Sequence, residues 1–136
     1  MDEKNKSTND KLDVIFALQK SFDDEIVNKR GLENITPDEW IQKETLAMIS
    51  ELAELLDEVN FKWWKNAKEI DYNLVKDELI DILHFFTSMC LKVGMTSSEV
   101  YQRYINKNKE NFNRQYGMSD KKGYELSDIK EKGSRQ

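Results

Sequence analysis

The chain has 136 residues, enough for one domain with a core of its own, and 35% of them are charged, for a formal net charge of −5 at pH 7. That acidic balance excludes a broad basic surface for nucleic acid, and no apolar run approaches the ~20 residues that a membrane span needs. The opening MDEKNKSTND is polar and lacks the apolar stretch of a secretory signal, so a cytoplasmic protein is expected.

Helical periodicity accounts for nearly all of the patterning. A first helix is predicted over about residues 10–29, with Leu12, Ile15, Phe16, Leu18, Phe22 and Ile26 at mostly helical spacing and Gly31 as its stop. Thr36-Pro37-Asp38-Glu39 combines an N-cap threonine, a proline at the first helical position and a glutamate at the third, and opens a second helix running to about Val59. The segment from Phe61 through the polar NAKEID stretch reads as a connection. Asp71 can cap a third helix over about 72–93, which Gly94 stops, and Thr96-Ser97-Ser98-Glu99 is a further capping box that starts a fourth helix through roughly Tyr116. Cys90, among Phe86, Met89 and Leu91, reads as a buried core thiol.

No alternating strand pattern, internal repeat or glycine-rich phosphate loop is found. Short links between helices predict an all-α bundle of four to five helices in a single domain spanning 1–136, with 1–9 and about 126–136 as flexible tails. The second and third helices are apolar on more than one face. One face can cover the domain core, and the other calls for a second copy, which predicts a packed or intertwined homodimer.

Inside those two apolar helices sit two acidic pairs at i,i+3 spacing, Glu51 with Glu54 and Glu78 with Asp81. Residues three and four apart on a helix are neighbours, and like charges there repel by about 0.2–0.5 kcal/mol per pair. No lysine or arginine lies at those offsets from any of the four. A buried carboxylate without compensation is costly or takes up a proton, so a hard cation held between the helices is one reading; oxygen-only ligands favour Mg²⁺ or Mn²⁺. A solvated acidic face on an ordinary amphipathic helix is the other.

The arrangement of Glu51-x-x-Glu54, a 23-residue spacer over positions 55–77, and Glu78-x-x-Asp81 resembles the metal motif of the all-α nucleoside triphosphate pyrophosphatases. That superfamily includes MazG-type enzymes, dCTP pyrophosphatases and the dimeric dUTPases. The dimeric dUTPase branch is favoured by LQKSFDD (18–24), FKWWK (61–65), DILHF (81–85), KNKENFNRQ (107–115) and the Gly123-Tyr124 pair.

The resemblance implies Mg²⁺-dependent hydrolysis of dUTP to dUMP and pyrophosphate, with dUDP as a further candidate substrate and Mn²⁺ as an alternative metal. Glu51, Glu54, Glu78 and Asp81 would be the ligands, and Glu51 would also orient or deprotonate the attacking water. Lys107, Asn111 and Arg114 on the last helix would bind phosphate oxygens, with Lys62 and Lys65 as further candidates, each otherwise a solvated surface group. Gln19 offers a donor and an acceptor to the uracil edge, and Trp63 or Trp64 could stack on the ring or pack in the core. His84, one turn beyond Asp81, faces the same cavity or is a satisfied core residue. Asp23 enters as a sugar or supporting group by resemblance alone. The rival readings are a MazG-like or dCTP-type house-cleaning enzyme and a non-enzymatic helical interaction protein. Two ExxH motifs would be expected of a di-iron bundle, and the single histidine excludes it.

Overall fold

A computed structural model describes residues 10–126. Four helices make up its regular structure: α1 (Lys11–Arg30), α2 (Pro37–Glu58), α3 (Tyr72–Lys92) and α4 (Ser97–Gln115). The expected tail at 1–9, and that beyond residue 126, lie outside the described residues.

Each boundary has a local cause. Asp10 accepts from the Asp13 backbone N–H (2.9 Å) and Asp13 answers on the Asp10 N–H (3.3 Å), so α1 opens on a reciprocal capping box. Thr36 Oγ1 accepts from Glu39 N (3.3 Å) with Pro37 in the first turn of α2, and Asp71 accepts from Asn73 N (2.9 Å) at the start of α3. At the far end of α3 the N–H groups of Gly94 and Met95 return to the carbonyls of Leu91 (3.0 Å) and Cys90 (2.9 Å), a reversal that places Gly94 at φ +82°. Between α2 and α3, Asn60 sits at φ +58° and its side-chain amide bonds both the carbonyl (2.7 Å) and the N–H (2.9 Å) of Lys68, closing the 61–67 loop on itself.

The chain divides into two compact units, one through Ser97 and the other from Ser98. In the first, α2 and α3 form the main pairing and α1 packs on α3. Glu44 meets Ser88 and Lys92 while Glu51, seven residues later, meets Glu78, so α2 and α3 run antiparallel. In the second, α4 ends in another reversal at Gly117 (φ +73°), and the following segment returns so that Leu126 N donates to Gln115 O (2.9 Å).

Among the described residues the buried apolar side chains are Phe16 and Cys90; the buried polar ones are Gln19, Glu44, Thr87, Ser88 and Ser119. Cys90 is a free thiol whose burial pushes its pKa up, in line with the inert core role expected of it. Leu46, Ile49, Leu52 and Leu56 of α2 and Leu79, Ile80, Leu83 and Phe86 of α3 remain exposed. No single described helix is long and apolar enough to cross a membrane.

A Cβ added at Gly94 meets no atom within 4 Å, so the left-handed backbone alone sets the cost of filling it. Gly94→Ala is expected to lower stability by about 1–2 kcal/mol in chemical denaturation, with helix content unchanged by circular dichroism.

Candidate functional site

The antiparallel seam of α2 and α3 brings three of the four motif acids together. Carboxylate oxygens of Glu51, Glu54 and Glu78 all lie within 4.8 Å of one another. Glu51 and Glu78 are half-buried and Glu54 is exposed. Asp81, one turn beyond Glu78 on α3, falls outside that group, yet its charge acts on both Glu51 and Glu78. Among the described residues no lysine or arginine ion-pairs with any of the four.

The electrostatic consequence is large. Burial, then the adjacent Glu54 carboxylate, Glu78 and Asp81 push the Glu51 pKa up to about 7, and burial with the charges of Glu54 and Asp81 raises Glu78 as well. Glu51 Oε2 and Glu78 Oε2 are buried without a hydrogen-bond partner. Two orphaned carboxylate oxygens facing a third acid suit a hard divalent cation, which would satisfy both and reverse the repulsion.

A second polar group lies further along the same seam and joins all three helices. Gln19 Nε2 donates to Asp23 Oδ1 (2.9 Å), and Gln19 Oε1 meets His84 Nδ1 (2.7 Å). Each end of the Gln19 amide therefore has one bond made and one still to offer. Ser88 Oγ lies 2.8 Å from Asp23 Oδ2 and 2.7 Å from Glu44 Oε1; Lys92 Nζ donates to Glu44 Oε1 (2.5 Å) and Ser88 Oγ (2.8 Å) and stands 3.8 Å above the Trp40 ring. Gln19, Asp23, Glu44, His84, Ser88 and Lys92 line one cavity of about 420 Å³, whose other walls include Phe22, Trp40 and Phe85. A second cavity of about 330 Å³ shares Gln19, Phe22 and His84 and is otherwise mainly apolar.

Gln19, Asp23 and His84, three of the expected nucleotide contacts, are thus gathered in one network. The loop tryptophans are elsewhere: Trp63 and Trp64 are 86% and 63% exposed, pack edge to face at 4.5 Å, and line neither cavity. The aromatic side chains beside the Gln19 network are Phe22 of α1, Trp40 in the first turn of α2 and Phe85 of α3. Lys62 pairs with Asp57 (3.5 Å), and with Lys65 and Lys68 it lines a polar cavity of about 470 Å³ at the end of α2. In the second unit Lys107 and Asn111 are exposed, while Arg114 is held by Glu110 (3.1 Å) and lies 5.6 Å from the Tyr124 ring centroid. The Ser119 hydroxyl and then Arg114 hold the Glu110 pKa below the usual carboxylate range.

Sequence reading did not mark Glu44, Ser88, Lys92 or Trp40. A signal was present in the register, because Glu44 precedes Glu51 by seven residues and Ser88 follows Asp81 by seven, which keeps each on the motif face of its helix.

A family model described as dUTPase matches residues 11–99, and the chain belongs to that all-α family. A dCTP pyrophosphatase of Enterobacteria phage T4 is 46% identical over 41 residues, 30% of this chain and 24% of the relative; a dCTP pyrophosphatase of Enterobacteria phage LZ5 is 34% identical over 74 residues, 54% and 43% respectively. The chain therefore spans less than half the length of these curated relatives in the matched regions. No solved structure matches it significantly.

The raised Glu51 pKa predicts an unusual pH dependence. Folded Glu51 keeps its proton up to about pH 7, whereas an unfolded carboxylate near 4.5 loses it, so the contribution of this group is present below 4.5 and is lost as pH rises toward 7. Metal-free protein should melt at lower temperature at pH 8 than at pH 5, and millimolar Mg²⁺ should raise the melting temperature more at pH 8. A melting temperature that rises from pH 5 to pH 8 without metal contradicts the crowded-acid geometry.

Proposed function

We propose that this chain is a divalent-metal-dependent pyrophosphohydrolase of pyrimidine deoxynucleoside triphosphates, releasing the monophosphate and pyrophosphate. The family description supports dUTP, with dUMP as product, and the phage relatives support dCTP; both share the triphosphate chemistry. The observation that carries the reading is the pair of buried, partnerless oxygens on Glu51 and Glu78 beside Glu54.

Glu51, Glu54, Glu78 and Asp81 would hold Mg²⁺, or Mn²⁺ in its place. When bound, the metal supplies charge neutralisation for the triphosphate and lowers the pKa of the attacking water. Glu51 is the candidate to orient that water or accept its proton. Lys62, Lys65, Lys107, Asn111 and Arg114 are the phosphate-binding candidates. Gln19, Asp23 and His84 hold the nucleoside, and Trp63 and Trp64, on an exposed loop, are available to cover it.

The exposed leucine and isoleucine rows on α2 and α3 support a homodimer, since a second copy would bury them around the same axis. Light scattering at micromolar protein should give twice the mass of one chain, and an active monomer would remove the dimer from the proposal.

Turnover of dUTP, dUDP, dCTP and dTTP with Mg²⁺ tests the activity directly. Glu51→Gln and Glu78→Gln should each lower turnover at least about 100-fold. Without metal, the same variants should melt no lower than the parent protein, because each removes one of four repelling charges. Near-parental turnover in either variant would refute the ligand assignment.

A further inference from the structure

Glu44 is a carboxylate only 5% exposed and bonded through a single oxygen. Its Oε1 takes a bond from Lys92 and lies within reach of Ser88, whereas Oε2 is buried with no partner. Ser88 Oγ stands at hydrogen-bond distance from both Asp23 Oδ2 and Glu44 Oε1, yet a hydroxyl carries one proton. It can serve one of the two carboxylates at a time. This wall of the 420 Å³ cavity accordingly holds more acceptors than donors, an imbalance that a buried site tolerates poorly unless a ligand or water supplies the missing protons.

Lys92 does not make up the deficit. Its ammonium is engaged by Glu44 Oε1, Ser88 Oγ and the face of Trp40, and Asp23 Oδ2 lies 3.8 Å away. The cavity combines flat aromatic walls with this one polar edge, a shape suited to a planar ring. Glu44 is seven residues from Glu51 on α2 and Ser88 is seven from Asp81 on α3, so the wall stands two turns, about 10 Å, along the seam from the acidic cluster. A deoxyribose with its first phosphate fills a separation of that order.

We propose that this wall reads position 4 of the pyrimidine ring, with Glu44, supported by Ser88 and Asp23, accepting from the exocyclic amino group of a cytosine-type base. The inference rests on the pyrophosphohydrolase reading above and deepens it. A 4-amino group brings protons to an edge short of them, the same pairing that acidic side chains make with cytosine in nucleic acids. A 4-oxo group brings a further acceptor against carboxylate oxygens, and the donors beside Glu44, those of Ser88 and Lys92, are already engaged. Glu44 is thereby assigned as a specificity determinant, and Lys92 as the positioning residue that fixes its Oε1.

The unaltered protein with Mg²⁺ is assayed on dCTP, dUTP and the triphosphate of the 4-unsubstituted pyrimidin-2-one deoxynucleoside, which lacks the amino group. The expected kcat/KM for dCTP exceeds that for either of the others by about 10- to 100-fold or more. Glu44→Gln keeps the size of the side chain but replaces an acceptor with a donor, and should lower the dCTP-to-dUTP ratio of kcat/KM by at least about tenfold. The substrate series needs no variant, so a Glu44→Gln protein that fails to fold leaves the test intact. Equal kcat/KM on all three substrates, or a preference for dUTP, overturns the role of Glu44 while leaving the pyrophosphohydrolase reading in place. No turnover of any nucleotide overturns that reading itself.

Discussion

Repulsion among carboxylates on the α2–α3 seam is the constraint around which this structure is organised. Apolar packing draws the two helices together, and the same packing carries Glu51, Glu54 and Glu78 to within 4.8 Å of each other. Closing the seam therefore works against a Coulombic term that grows as water leaves it. Burial and mutual repulsion push the Glu51 pKa up to about 7 and raise that of Glu78, so these acids hold a proton more tightly than free carboxylates do.

The seam itself contains the comparison that makes this reading strong. Two turns from the acidic cluster, Glu44 and Asp23 pose the same problem on a smaller scale, and there the fold answers it with an internal cation, Lys92, gripped by Glu44 at 2.5 Å and backed by Trp40. Among the described residues a lysine stands at the second group and no lysine or arginine ion-pairs at the first. A buried ion pair is a weak device for stability, since desolvation offsets much of its attraction. Its value here lies in holding Glu44 in a fixed orientation, with one oxygen committed and the other buried without a partner.

How much of this was legible in the sequence follows from the range of the interactions involved. Helix ends depend on residues three to five apart, so Gly31, Thr36, Asp71 and Gly94 announced α1 through α3 to within a residue or two. The capping box of Asp10 and Asp13 has the same local logic but uses aspartate where glutamate is the familiar partner. The acidic cluster was readable because both halves repeat an i,i+3 spacing on helices otherwise apolar. The Glu44–Ser88–Asp23 network was not, because its bonds join residues 44 and 65 positions apart and no single helix shows more than one member as unusual. Trp40, which lines the Gln19 cavity, drew no notice for a related reason: it acts through a contact with Lys92 on another helix.

The small apolar core joins these features to one another. Gln19, Glu44, Thr87 and Ser88 are as buried as Phe16 and Cys90, while the leucine and isoleucine rows of α2 and α3 face outward. Burial of polar groups contributes little net stability even when they are well bonded, and less where an oxygen is left without a partner. Isolated and without ligand, such a unit would stand near the low end of folding stability, and anything that binds only the folded form then raises it by mass action. A second copy over the outward leucines, a cation among the motif acids and a ring against Glu44 would each supply something the single chain lacks. On the proposed reading all three would act on the same pair of helices, so association, metal binding and substrate binding would be thermodynamically linked through the α2–α3 seam.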